Sequence, residues 1–224
     1  KTLNEGDIVN VDVTAYKDSW HGDTSRMFYV GDVSVKAKKL VENTYKAMME
    51  AIKILNKDIH LGDIGATIQN YVEKNGFSVV RDFCGHGIGK KFHKEPNVLH
   101  YGKKGEGKKL EIGMIFTIEP MINEGKYETK LLNDGWTAVT KDKKLSAQFE
   151  HTVGITNDGY EIFTKENYNS KRIKNSHHLD INITKSLYIS QVTMDIGFSI
   201  YNLYNRKNIS HKRFCRDCGI IFGL

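Results

Sequence analysis

From Asp7 to Ala15 the chain reads Asp-Ile-Val-Asn-Val-Asp-Val-Thr-Ala, with apolar side chains at 9, 11, 13 and 15, the period of a half-buried strand. A polar turn follows at Lys17, Asp18 and Ser19, and Thr24 to Val30 predicts a returning strand, so the chain opens with a hairpin. Ser34 is placed to cap a helix from about Val35 to Ile54, where Val35, Leu40, Val41, Tyr45, Met48, Ile52 and Leu55 recur at helical spacing. Asp63 is expected to open a second helix that runs to Lys74 and ends at Asn75-Gly76. Short apolar runs at Phe77–Val80, Met114–Ile118, Thr137–Val139 and Phe149–Ile155 predict further strands. Helices interspersed with strands in this way indicate the α/β (α+β) class.

Composition narrows this picture only slightly. With 224 residues, 39% of them hydrophobic, and two prolines, there is material for one core of ordinary size. No run approaches the roughly 18 apolar residues of a membrane span, and Lys1 to Asn10 lack the apolar centre of a secretory signal, so no membrane association is expected. Three cysteines, Cys84 alone and Cys215 with Cys218 at CxxC spacing, make no disulfide framework and point to a reducing compartment. Lys1 in place of methionine suggests a fragment, a processed form or a trimmed chain.

The net charge of +6 changes meaning once it is divided along the chain. Residues 1–165 carry 24 basic and 23 acidic side chains, whereas residues 166–224 carry 9 and 4. The excess lies in an Asn/Ile/Lys-rich tail without a block of consecutive basic residues, so no nucleic-acid partner is predicted. The expected organisation is a catalytic domain over 1–165 and a loosely ordered tail over 166–224. Cys215-Arg216-Asp217-Cys218, with only His211 nearby and no second pair, is half a zinc motif and is not read as a site.

The chemistry lies where the apolar pattern is broken. Asp12 stands among Val9, Val11 and Val13; Glu119 closes the run Ile115-Phe116-Thr117-Ile118; Glu150 interrupts Ala147 to Val153. His86 sits in Cys84-Gly85-His86-Gly87-Ile88-Gly89, where glycines would let the backbone turn tightly around one imidazole. Each acid alone reads as a solvated strand residue. Two aspartates, a histidine and two glutamates on separate strands, without a GxSxG nucleophile context, suggest instead a site for hard or borderline divalent ions. Four carboxylates supply enough charge for two cations, which together can activate a water and polarise a carbonyl.

The order of these segments is not anonymous. Val11-Asp12-Val13-Thr14, His21-Gly22-Asp23-Thr24-Ser25, Gly85-His86-Gly87-Ile88-Gly89 with Phe92-His93 and Glu95-Pro96, Thr117-Ile118-Glu119-Pro120, Asp134-Gly135-Trp136 and Gln148-Phe149-Glu150-His151-Thr152 resemble the methionine aminopeptidases over about residues 3–164. The 33-residue step from His86 to Glu119 resembles the type I enzymes, because type II enzymes insert a helical subdomain there. The resemblance implies the pita-bread fold, two pseudo-symmetric halves around a curved antiparallel sheet, and removal of the initiator methionine from nascent chains. It implies two divalent ions (Co, Mn, Fe or Zn), with Asp12 on one, His86 and Glu119 on the other, and Asp23 and Glu150 bridging. It gives His93 a contact with the substrate amide, Glu119 a second role in proton transfer, and Phe92 and Trp136 places in the wall of the methionine pocket. It further implies a monomer, in the cytoplasm or, since the N-terminal portion that would carry an address is lacking, in an organelle, that meets its substrate as a nascent chain, where association with the ribosome is admitted.

The family also has helices, strands and a second active-site histidine upstream of the strand near Asp7. The expectation is therefore a chain lacking its N-terminal portion and slower than a form with that segment restored. Two rival readings share the scaffold. One is a prolidase acting on X-Pro bonds, against which the ligand spacing and the Phe92-His93 and Gly135-Trp136 contexts argue. The other is a non-catalytic binding protein, which would have no need for five metal ligands.

Overall fold

The computed structural model describes residues 2–165 throughout and, beyond them, the backbone of residues 181–189 and 192–200. In chain order the first part contains β1 (Ile8–Lys17), β2 (Trp20–Tyr29), α1 (Val35–Lys53), α2 (Leu61–Lys74), β3 (Ser78–Val79), β4 (Gly85–Gly87), β5 (Lys94–Val98) and β6 (Ile115–Ile118). It continues with β7 (Met121–Asn123), β8 (Thr129–Leu131), β9 (Ala138–Thr140), β10 (Ser146–Gln148), β11 (Glu150–Thr156) and β12 (Gly159–Ile162). In a separate compact unit β13 (Ile181–Ile189) and β14 (Val192–Ile200) pair as an antiparallel hairpin. The rest of the tail, including Cys215 and Cys218, lies outside the described residues.

The opening hairpin is longer than its polarity pattern suggests. Asp18 and Ser19 both take positive φ, 51° and 67°, the signature of a two-residue turn whose twist matches that of the strands it joins. Lys17 consequently pairs with Trp20, and β2 begins there rather than at Thr24. The polar trio His21-Gly22-Asp23 conceals this stretch of strand because the His21 ring is held at the Gly89 carbonyl and Asp23 is buried against Thr14, instead of both facing water.

The second helix starts earlier than expected for a related reason. Asp63 does not open it. Asp63 sits one turn inside, where its Oδ2 accepts the His60 backbone N–H at 2.7 Å, closing the helix start from within. The helix ends as expected, with Gly76 at φ 81° just past Asn75.

The main sheet runs β1-β2-β11-β6-β4-β5, antiparallel, with β12 also paired to β11. A smaller sheet, β10-β7-β3, lies under the helices, and β8 and β9 form a separate hairpin. Helix α1 packs on β10 and β7, and α2 packs on β3 and β5. Leu40, Met48 and Ile52 of α1 and Ile64 and Ile68 of α2 are fully buried with Phe116, Ile118, Ile122 and Val153. Removal of each such side chain from water is worth about 1.5–3 kcal/mol, enough to hold the helices on one face of the sheets.

Strand alternation then dictates what the other face carries. In β6, Phe116 and Ile118 enter the core, so Thr117 and the following Glu119 go to the opposite side. In β11, Val153 and Ile155 enter the core, and Glu150 and Thr152 share the side of Asp23.

Gly85 and Gly87 play a part different from the expected tight turn, since both lie within strand β4. A Cβ on Gly85 would fall 2.4 Å from the Thr117 carbonyl oxygen, and one on Gly87 would fall 2.2 Å from that of Glu95. Absence of side chains lets β6 and β5 close on β4 from either side of His86.

Candidate metal centre

Four strands and one strand end deliver the candidate ligands. In β1, Asp12 pairs directly with Ser25 of β2, and in β2 Asp23 pairs with Thr14. Glu150 begins β11 opposite Ser25, His86 is the middle residue of β4, and Glu119 follows β6. Ligand atoms of Asp23, His86 and Glu150 lie within 4.8 Å of one another, and all three residues are buried. His86 Nε2 is 3.9 Å from Asp23 Oδ2 and 3.7 Å from Glu119 Oε1. Asp12 belongs to the same electrostatic group, its charge raising the pKa of both Glu119 and Glu150.

The surrounding hydrogen bonds hold these groups by their far sides. His86 Nδ1–H donates to the Gly87 carbonyl at 3.1 Å, which leaves Nε2 as the lone-pair nitrogen facing the carboxylates, the usual arrangement of a metal-ligating imidazole. Thr14 donates to Asp23 Oδ1 at 2.9 Å, and Thr117 donates to Glu119 Oε1 at 2.6 Å. The Asp23 backbone N–H donates to Thr152 Oγ1, whose hydroxyl donates back to the Asp23 carbonyl at 2.8 Å and so ties β2 to β11 at the ligand itself.

Electrostatically the cluster is out of balance. Burial pushes the Asp12 carboxyl up to about 6, assisted by the negative charge of Asp23. Burial also raises Asp23, Glu119 and Glu150, the two glutamates most strongly, with neighbouring carboxylates adding to the effect. Burial lowers the pKa of His86, so the imidazole does not supply the missing positive charge. Both carboxylate oxygens of Glu150 are buried without a hydrogen-bond partner. A natural protein rarely leaves such atoms unsatisfied, and oxygen donors with one bare imidazole nitrogen suit divalent cations, so this residue set fits a metal centre.

The remaining predicted residues are distributed unevenly. The His93 ring lies 4.2 Å from that of His86, centroid to centroid, in an edge-on arrangement. The Phe92 ring is 4.0 Å from His93 and 5.6 Å from His86. Trp136 stands in the connection between β8 and β9 with 80% of its surface exposed, its backbone N–H bound by Asp134 Oδ1. No ring contact joins it to the cluster among the described residues.

Sequence reasoning missed His100, which is 2% exposed and whose Nε2 accepts the backbone N–H of Glu119 at 3.0 Å. Burial drives the pKa of this imidazole down to about 3, keeping it a neutral acceptor. Nothing in Val98-Leu99-His100-Tyr101 distinguishes it from an ordinary core histidine. Its partner is 19 residues away and is found only through the fold.

Comparison with known proteins gives this geometry its context. Residues 1–157 match Metallopeptidase family M24. The chain is 59% identical over 165 residues to methionine aminopeptidase of Rickettsia prowazekii, an alignment covering 73% of this chain and 64% of that protein. The chain thus spans just under two thirds of the length of that relative. The crystal structure of methionine aminopeptidase from Rickettsia prowazekii superposes with a TM-score of 0.73 at 58% identity, covering 74% of this chain and 67% of the other. Prolidase from Pyrococcus furiosus shares the fold, with a TM-score of 0.60 at 23% identity over 74% of this chain and 43% of its own.

Proposed function

The chain belongs to metallopeptidase family M24 and has the pita-bread fold, and from that premise we propose that it removes the N-terminal methionine from nascent polypeptides. The observation that carries this reading is the convergence of Asp23, His86 and Glu150, with both Glu150 oxygens buried and unpartnered. Asp12 would hold one divalent ion, His86 and Glu119 a second, and Asp23 and Glu150 would bridge them. Ions held there supply Lewis acidity toward a peptide carbonyl and a nucleophilic water at neutral pH.

The chain's own groups do the rest. Glu119 accepts a proton from the attacking water and returns it to the leaving amine, its Oε1 oriented by the Thr117 hydroxyl. His93, beside His86, donates to the substrate amide oxygen as negative charge develops on it. Phe92 offers an apolar face to a thioether side chain, and Trp136 is assigned the outer part of that wall. On this reading the protein works in the cytoplasm or in an organelle, as a monomer, on chains as they emerge from ribosomes.

Calorimetric titration with Mn²⁺ or Co²⁺ is expected to give two ions per chain, and Asp23→Ala or Glu150→Ala to abolish the coupled uptake. With Met-Ala-Ser as substrate, metal-dependent release of methionine is expected, and the two variants should be nearly inert. Faster cleavage of an X-Pro dipeptide would replace this reading by a prolidase one, and no uptake of divalent ions would remove it altogether.

A further inference from the structure

His21 is absorbed by neither the metal centre nor the core, yet it is bound from three directions. Its backbone N–H and its ring Nδ1–H both donate to one acceptor, the Gly89 carbonyl, each at 2.9 Å. Its ring lies 5.7 Å from that of Phe92 in a stacked arrangement, interplanar angle 29°, and 4.7 Å from Tyr16, its cross-strand partner. Gly89 opens the short irregular segment that carries Phe92 and His93 between β4 and β5. The preceding residue is already fixed, since Ile88 N–H donates to the carbonyl of Ile115, the first residue of β6, at 3.1 Å.

Two donors on a single carbonyl define the position of a peptide more closely than one, and the stacked ring adds a constraint three residues further on. His21 lies two residues before Asp23 on the same face of β2. The strand that presents a candidate bridging carboxylate therefore also anchors the segment presenting His93. Misplacement of a reacting group by about 1 Å can cost on the order of 100-fold in rate, so such a brace has kinetic weight.

We infer that His21 is a positioning residue for His93: it fixes the Gly89–His93 segment to β2 through the Gly89 carbonyl and the Phe92 ring, and so sets where the His93 imidazole stands relative to the metal ligands. This rests on the amide-contacting role proposed above for His93. Loss of His21 should leave metal binding intact and alter only what His93 does.

The test is a double-mutant cycle with a spectroscopic arm. In the full chain His21→Ala is expected to lower kcat on Met-Ala-Ser about 10- to 100-fold with KM little changed and two ions still bound. In a His93→Ala background the same change should matter by less than about twofold, because two residues acting as a unit are not additive. His21→Asn, which retains a side-chain donor for the Gly89 carbonyl, should recover part of the loss. In ¹⁵N-histidine spectra of the metal-free protein, His21→Ala should move the His93 ring signals and leave those of His100 in place. Effects that multiply in the cycle, or unmoved His93 signals, would overturn the inference. The spectra require no turnover, so an inactive wild-type protein would count against the proposed function while this arm still decides the position of His93.

Discussion

At the residue scale the candidate site is distinguished by what each side chain is denied. Glu150 and His151 are neighbours in sequence and opposites in the fold: Glu150 faces the carboxylate cluster, whereas His151 Nδ1 is 2.9 Å from Thr164 Oγ1 on the other side of the strand. Glu119 receives a hydrogen bond from Thr117, and its backbone N–H is taken by His100. Replacement of His100 by Leu should therefore leave a buried N–H without an acceptor and cost about 1–3 kcal/mol, seen as a lower melting temperature. The same variant should have a flatter pH profile. Wild-type His100 stays neutral in the fold down to about pH 3 but protonates near its ordinary value when unfolded, so its stabilising contribution is present above about pH 6.5 and is lost as pH falls toward 3. His93 makes the opposite demand. His93→Ala should lower turnover by roughly 10²–10³ with metal content unchanged, and loss of metal from this variant would make His93 a ligand instead.

At the scale of elements, two glycines beside candidate ligands have contrasting surroundings. Gly22 precedes Asp23 in β2, and a Cβ there would meet nothing within 4 Å; Gly85 precedes His86 in β4, and a Cβ there would strike the Thr117 backbone. Gly22→Ala should bind metal as the wild type does, whereas Gly85→Ala should push β4 from β6, displace His86 and weaken uptake measured by calorimetry. The β1–β2 turn offers a gain instead. Asp18 and Ser19 sit at positive φ, where a side chain costs roughly 1 kcal/mol at the second position, so Ser19→Gly should raise the melting temperature by about 2–4 °C.

At the scale of the molecule, the sheet gathers like charges into one buried space, and this carries a consequence for stability. Asp12, Asp23, Glu119 and Glu150 all have pKa values raised by burial, so without cations these four groups bind more protons in the folded chain than in the unfolded one above about pH 4. Their contribution must fall as pH rises from about 4 through about 6 and beyond. Protein stripped with a chelator should therefore lose melting temperature relative to metal-loaded protein progressively over that range. The difference between the two forms is the proper measurement, because His100 and His151, whose pKa values burial lowers, slope the other way in both. A gap that did not widen with pH would show that bound cations do not offset the mutual repulsion of these carboxylates.

Sequence alone was sufficient for whatever depends on local periodicity or on an uninterrupted motif. The helix after Ser34, the Asn75-Gly76 stop and the strand period around Asp12 follow from side-chain sterics and hydrogen bonding within a few residues. The candidate ligands could be named because a carboxylate in an apolar run violates the pattern, and because their order resembles a known family. Tertiary structure decided everything that depends on a partner far along the chain. Strand β2 hides its start because His21 and Asp23 look solvated until β11 and the Gly89 segment are packed against them. Gly85 looks like a hinge until β6 closes on it. His100 looks like packing until the fold brings the Glu119 N–H to its ring. A polar residue carries no sign of its own to say whether water or another part of the protein will satisfy it, and only the assembled sheet makes that choice.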